Sequence, residues 1–284
     1  MEIDAPLILA RWTYYGAVTL LFGSSLFPLY AAPGGTARDG VLPRPVVTAL
    51  ATAALAGAAL WLMCFATGLA PPEQAGATLR AILFESGFGP AWLVRISALA
   101  LALLGAVAGR SGAVVLASGV ALACEGWSGH AAGFGLTGSL SQVVHVLCAG
   151  AWIGGLLPLG VLVARARSDP AGAHVATKAL NGFSQLGLPV VLVLVLTGIV
   201  NRWHVLAGLP NLTGGYDRVL LAKIILFAAM AALAAANRWR LVPRLRREHR
   251  GAAGPLWGNV LAEQLLGAAI LLAVSLLGSM DPAA

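Results

Sequence analysis

Three of the five histidines and all three cysteines of this 284-residue chain fall toward the same end of the hydrophobic stretches, in one half of the expected membrane. His130 ends the run Glu125-Gly-Trp-Ser-Gly-His130. His145 lies about two turns inside the next hydrophobic stretch, and His204 closes the one after it. Cys148 follows His145 by three residues, so a helix places both on one face. Cys124 comes just before Glu125, and Cys64 stands beside Met63. Imidazole, thiolate and thioether are the ligands that suit copper. The candidate metal ligands are therefore His130, His145, His204, Cys148 and Cys124. Each has a plainer reading. A membrane cysteine is commonly a small apolar filler, Met63 packs, and His204 beside Trp203 sits at an interface. His145 and His130 resist that reading, because an ionisable group in or beside a span is costly and usually functional. The glycine-rich surroundings of His130 (Ser-Gly-His-Ala-Ala-Gly-Phe-Gly) suit a loop over a site.

Two acids also fall inside hydrophobic sequence, Glu125 and Glu263. A buried carboxylate needs a partner or a proton. Glu125 is expected either to pair or to relay, and Arg95, just inside the third stretch, pairs with Glu85 or Glu125 or snorkels to the interface. Glu263 is expected to pair with a basic residue, to relay protons or to bind a cation.

The elements that must position these residues are set by composition. The chain is 59% hydrophobic and only 10% charged, with mean hydropathy +0.85. A soluble domain carries about 25% charged residues, so lipid must be the solvent here. Apolar windows of about 20 residues give eight expected spans: 9–30, 46–69, 91–109, 112–129, 140–164, 184–206, 218–237 and 256–278. Their length and all-round hydrophobicity favour helices over barrel strands. The expected fold is all-α: a polytopic integral membrane helical bundle of about eight transmembrane helices, one domain over 1–284. The fourth span is the weakest, being rich in Gly and Ser and carrying Glu125. Gly150, Gly154 and Gly155 permit close helix approach, and tryptophans near span ends form the usual interfacial belt. Glu2 and Asp4 replace the basic flank of a cleaved signal peptide, so the first stretch is expected to be retained.

Basic residues orient the bundle. With the N-terminus outside, 12 of the 18 Lys and Arg face the cytoplasm and 6 face outward, six of the 12 lying between Arg238 and Arg250. Both termini are therefore expected outside, in the periplasm. The net charge of +7 is read as this topology signal and as contact with anionic lipid, not as a nucleic-acid surface. There is no Walker A loop, dinucleotide fingerprint, Gly-x-Ser-x-Gly or His-Glu-x-x-His, so neither an ATP-driven pump nor a familiar hydrolase is expected. The reading is of a protein that is not an enzyme.

Several stretches, in order and spacing, resemble the CopD family of bacterial copper-resistance membrane proteins. They are Phe88-Gly-Pro-Ala-Trp92-Leu-Val-Arg95, Ser128-Gly-His130-Ala, and His145-Val-Leu-Cys-Ala-Gly-Ala-Trp152-Ile-Gly-Gly-Leu. Asp217-Arg218-Val-Leu-Leu-Ala-Lys223, then Ala236-Asn237-Arg238, Pro243 and Glu263, complete the set. The matches run from the third span to the eighth, while the first two spans match only in being hydrophobic. The resemblance implies a multi-pass inner-membrane protein of copper homeostasis or resistance, commonly described as moving copper across that membrane. It implies a partnership with a periplasmic copper-binding protein of the CopC family, here a separate chain. Carried over, His130 and His145 are the metal positions.

The leading expectation is thus that copper is received at the outer face by His130, His145 and His204, with Cys148 or Cys124 as soft ligands. It then passes inward on its own gradient or with protons, Glu263 serving the inner half. The inner half offers few soft ligands, Met230 standing alone in the seventh span. One alternative is a single-haem b-type cytochrome using His145 and His204; a second haem would lack histidines. Another is a membrane scaffold that only docks a periplasmic copper carrier.

Overall fold

Hydrocarbon offers backbone groups no hydrogen bonds, so a spanning chain must satisfy them within helices. In the computed structural model, which describes residues 4–31, 41–128, 133, 135–167, 170–205, 214–243 and 253–281, nine α-helices do this and no strand occurs among the described residues. They are α1 (Ala5–Ala31), α2 (Arg44–Leu69), α3 (Ala75–Phe84), α4 (Gly89–Val107), α5 (Ser111–Ala123), α6 (Gly135–Ala166), α7 (Pro170–Val205), α8 (Gly215–Ala236) and α9 (Ala253–Leu277).

Six of these, α2, α4, α6, α7, α8 and α9, are long and apolar enough to cross a membrane. The eight expected spans correspond to those six plus α1 and α5, and both exceptions have a physical reason. α1 is long enough, with 27 residues, but it carries Arg11, Tyr14, Tyr15, Thr19 and Ser24 along its length. It can do so because it sits inside the bundle, packed against α2, α5, α6, α7 and α9. The fourth span, expected over 112–129, is helical only to Ala123. A 3-10 turn over Cys124–Trp127 follows, and Ser128 is extended. The tightening brings Gly126 against α6: a Cβ there would meet Ser139 O at 2.6 Å. The short helix α3, which the apolar windows pass over, connects α2 to α4. α7 begins 14 residues before the expected start at 184 and has 36 residues, about 54 Å at the helical rise. That exceeds the hydrocarbon thickness, so α7 tilts or projects.

Consecutive spans reverse direction, so the bundle has two distinct ends. At one, here the α3 end, the start of α1 meets the end of α9 through Arg11 Nη1, which donates to Gly278 O at 2.6 Å. At the other, the end of α4 meets the start of α2 through Arg44 Nη2, which donates to Val107 O at 2.6 Å. Beyond α8 the chain continues there as a π-helical turn, Asn237–Leu241.

The centre is fixed by glycine. α1 and α6 cross with backbone on backbone: a Cβ on Gly23 would lie 2.6 Å from Gly154 Cα, and a Cβ on Gly154 would collide with Thr19 O. Small residues at such crossings allow the close packing that holds helices together in lipid. Gly154→Ala should lower the thermal midpoint in detergent by roughly 5 °C, as overpacking of a tight site does. Gly16→Ala, where nothing lies within 4 Å, should leave it unchanged; differential scanning fluorimetry compares the two.

Candidate functional site

Among the described residues, three polar clusters contain most of the expected site residues. The first lies on the α6–α7 seam toward the α3 end. His145, half-buried on α6, has its Nδ1 2.9 Å from Thr197 Oγ1 of α7. Thr197 already donates its hydroxyl hydrogen to Val193 O, one turn back, at 2.7 Å, so its oxygen accepts from His145 Nδ1–H. That arrangement puts the ring proton on Nδ1 and leaves the Nε2 lone pair available, which is the form in which a histidine ligates a metal. Nearer the α3 end, the seam carries a second polar rung, where Asn201 Nδ2 donates to Gln142 Oε1 at 2.8 Å. Asn201 Oδ1 is buried without a hydrogen-bond partner among the described residues. Cys148 shares α6 with His145 but packs beside the hydrophobic cluster around Trp152 and Phe27.

The second cluster joins α1, α2, α4 and the 3-10 turn. Arg95 is fully buried, with its Nη2 2.7 Å from Glu125 Oε1. Glu85 is exposed, so of the alternatives for Arg95 the pairing with Glu125 is the one formed. The approach is an ion pair outside hydrogen-bond angles: Glu125 Oε1, Arg95 Nε and Arg95 Nη1 have no hydrogen-bond partner among the described residues. Tyr15 Oη donates to Glu125 Oε2 at 2.9 Å, and Arg95 Nη2 donates to Ser128 Oγ at 2.8 Å. The guanidinium carbon also lies 4.4 Å from the Trp92 ring centre, 5.0 Å from Trp61 and 5.4 Å from Tyr14. The faces of these rings carry the negative side of the aromatic quadrupole, so they stabilise a cation that lipid would not. Cys124 opens the turn that holds Glu125 and is itself buried.

The third cluster lies toward the π-turn end. Glu263 of α9 is 1% exposed, and its Oε1 accepts from Asn237 Nδ2 at 2.5 Å. Asn237 Oδ1 in turn accepts from Asn259 Nδ2 at 2.8 Å. The partner of Glu263 is therefore an amide from the π-helical turn, where the sequence reading had left a cation as one option.

The five candidate ligands do not come together among the described residues. No group of three or more His, Cys, Asp or Glu forms there in metal-binding proximity. His130 lies outside the described residues. His204 is in the last turn of α7, with its side chain outside them. Cys124 belongs to the Arg95–Glu125 cluster and Cys148 to the hydrophobic core, and all three cysteines are free thiols. Sequence reasoning missed Thr197, Tyr15 and Trp61, which support the ionisable groups. A threonine among valines and leucines, or a tyrosine in an apolar helix, carries no signal until its neighbour is known. Asn237 did carry one, since it stands in the Ala236-Asn237-Arg238 stretch.

Removing one member of the Arg95–Glu125 pair leaves a buried charge alone, a loss of about 3–5 kcal/mol. Glu125→Gln should therefore sharply lower the yield of folded protein, whereas Arg95→Met combined with Glu125→Leu should recover most of it, as read by monodisperse yield in size-exclusion chromatography.

Two family signatures match the chain: copper resistance protein D-like, N-terminal domain, over residues 1–140, and copper resistance protein D over residues 177–277. The first covers the two spans whose likeness to the family had rested on hydrophobicity alone. Among individual proteins, the chain is 30% identical to a copper resistance protein D of Pseudomonas syringae pv. tomato, over 99% of this chain and 98% of that protein. It is 37% identical to the inner membrane protein YebZ of Escherichia coli over 52% of this chain and 51% of that one. It is 26% identical to the copper transport protein CutJ of Bacillus subtilis, over 95% of this chain and 52% of the longer relative. With one such relative matched from end to end and both signatures present, the chain belongs to the copper resistance protein D family.

Proposed function

We propose that this protein is a multi-pass inner-membrane protein that binds copper through His145 from the α3 end and passes it across the membrane, in copper homeostasis or resistance. The family and the names of its relatives support the copper role and the location. The observation that carries the site is the Thr197 hydroxyl holding His145 Nδ1–H. A histidine at membrane depth whose Nε2 has no hydrogen bond among the described residues is poised for a metal. His130, His204, Cys148 and Cys124 are proposed as the further ligands at the same end. A site whose candidate ligands do not all close on one point suits a cargo that must leave again.

The excess of basic residues at the π-turn end supports an orientation with both termini in the periplasm. Copper is then delivered from outside, by a separate CopC-like carrier. No covalent step is needed for this role, so we read the protein as a carrier and not an enzyme.

Copper titration of the purified protein tests this reading. His145→Ala should abolish tight binding. Thr197→Val, which keeps the shape but removes the acceptor for Nδ1–H, should weaken it about 10- to 100-fold. Unchanged affinity in both variants would reject the site. Unchanged copper tolerance of cells carrying His145→Ala would favour a scaffold that only docks the carrier.

A further inference from the structure

Glu263 lines a cavity of about 220 Å³ between α6, α7, α8, α9 and the π-helical turn. It lies ten residues past the start of α9 at Ala253, about 15 Å along the helix, deep within the membrane-spanning part. Most of the wall is apolar, with Trp152 and Phe183 facing Ala231 and Ala234. The other polar wall residues are Ser184, Asn237 and Arg238. The cavity reaches Trp239, which is 67% exposed at the π-turn end.

The hydrogen bonds around the carboxyl group decide what it can do. Asn237 Oδ1 is occupied by Asn259, so its amide hydrogen must point at Glu263 Oε1. That bond forms whether Glu263 is ionised or not. It leaves Oε2 as the atom that carries a proton, on a residue that borders the cavity. Ionised, the carboxylate would be buried with an amide as its only hydrogen-bond partner among the described residues, which is unfavourable in an apolar surround. The nearest charge on the wall is Arg238, but its Nη1 is engaged with Ser184 O and, at 3.0 Å, with Ser184 Oγ. The wall positions on α6, α7 and α8 contribute no titratable group. On α1, Arg11, Tyr14 and Tyr15 lie toward the other end, and Tyr30 donates its hydroxyl to Ala151 O at 3.2 Å. A single-turn π-helix inside a helical run is often a functional feature, and here it supplies both Asn237 and Arg238.

We propose that Glu263 is a proton-exchange site: Oε2 takes up a proton and releases it through the cavity to the π-turn end. The site couples a proton to copper passage, and in that respect it rests on the transport reading above. Charge balances simply: a carboxylate and a hydronium ion give a carboxylic acid and water, and the reverse step returns the proton. When Glu263 ionises, Arg238 across the cavity is the group that can compensate it, by leaving Ser184.

Two measurements separate this site from the copper reading. Infrared spectroscopy of the detergent-purified protein at neutral pH should show the carbonyl stretch of a protonated carboxylic acid, shifted in D2O and absent from Glu263→Gln. The glutamine variant keeps the acceptor for Asn237, so it should fold. In liposomes containing a pH-sensitive dye, copper uptake by the wild type should be accompanied by proton movement. Glu263→Gln should lose at least about 90% of that proton movement. Absence of the acid band from the wild type, or equal proton movement in the variant, would overturn the proposal. A wild type that shows the band but moves no copper would keep the proton site and reject the transport reading.

Discussion

Lipid can neither donate nor accept a hydrogen bond, and the placement of every polar group in this bundle follows from that. A chain with only 10% charged residues still buries an arginine completely and two glutamates almost completely. Each is held by a partner of different chemistry. Arg95 has a carboxylate and three aromatic faces. Glu125 has that arginine and a tyrosine hydroxyl, and Glu263 has an amide chain. The same constraint explains why α1, which carries Arg11, Tyr14, Tyr15, Thr19 and Ser24, occupies the middle. Its tyrosines and Arg11 find acceptors and rings on α2, α5, α9 and the 3-10 turn, and glycine contacts at Gly23 and Gly154 bring its backbone close enough to α6 to exclude lipid.

The three clusters divide the labour along the bundle. The Arg95–Glu125 cluster joins an ion pair, a tyrosine hydroxyl, a serine and three aromatic faces, so it ties α1, α2, α4 and the 3-10 turn together at the α3 end. The His145 seam is the opposite case. One side of the imidazole is fixed by Thr197 and the other has no hydrogen bond among the described residues, where the neighbouring Asn201 carbonyl is likewise buried without a partner. Glu263 stands between these extremes, with one oxygen fixed and the residue bordering a cavity. The two ionisable groups thus lie toward opposite ends of the bundle, the imidazole nearer the α3 end and the carboxyl nearer the π-turn end.

The bundle was legible in the sequence because lipid solvation writes itself as long apolar windows, and the helix limits followed to within a few residues for most spans. The failures are physical. The fourth span was drawn through Trp127 and Ser128 because hydropathy cannot register a helix tightening to make the Arg95–Glu125 pair. The first turns of α7 were missed because they carry Lys178 and His174 and no apolar window. Within the site, His145, Glu125, Glu263 and Arg95 stood out as ionisable groups in apolar sequence, whereas Thr197 and Tyr15, which bond two of them, and Asn259, which bonds Asn237, did not. The common location of His145, Cys148 and Cys124 near one end was visible too, but not that Cys124 faces the charge cluster and Cys148 the core. Helix order around a bundle is a property of side-chain fit, which no single span encodes.

The most direct test is the metal content of the protein purified in detergent from copper-supplemented cells, by mass spectrometry, with an absorption spectrum of the same sample. Near-stoichiometric copper without a Soret band, lost in His145→Ala, is the outcome expected of a copper-binding seam. Iron with a Soret band would identify a single-haem cytochrome instead, and neither metal, even after addition of Cu(I) or Cu(II), would contradict copper binding outright.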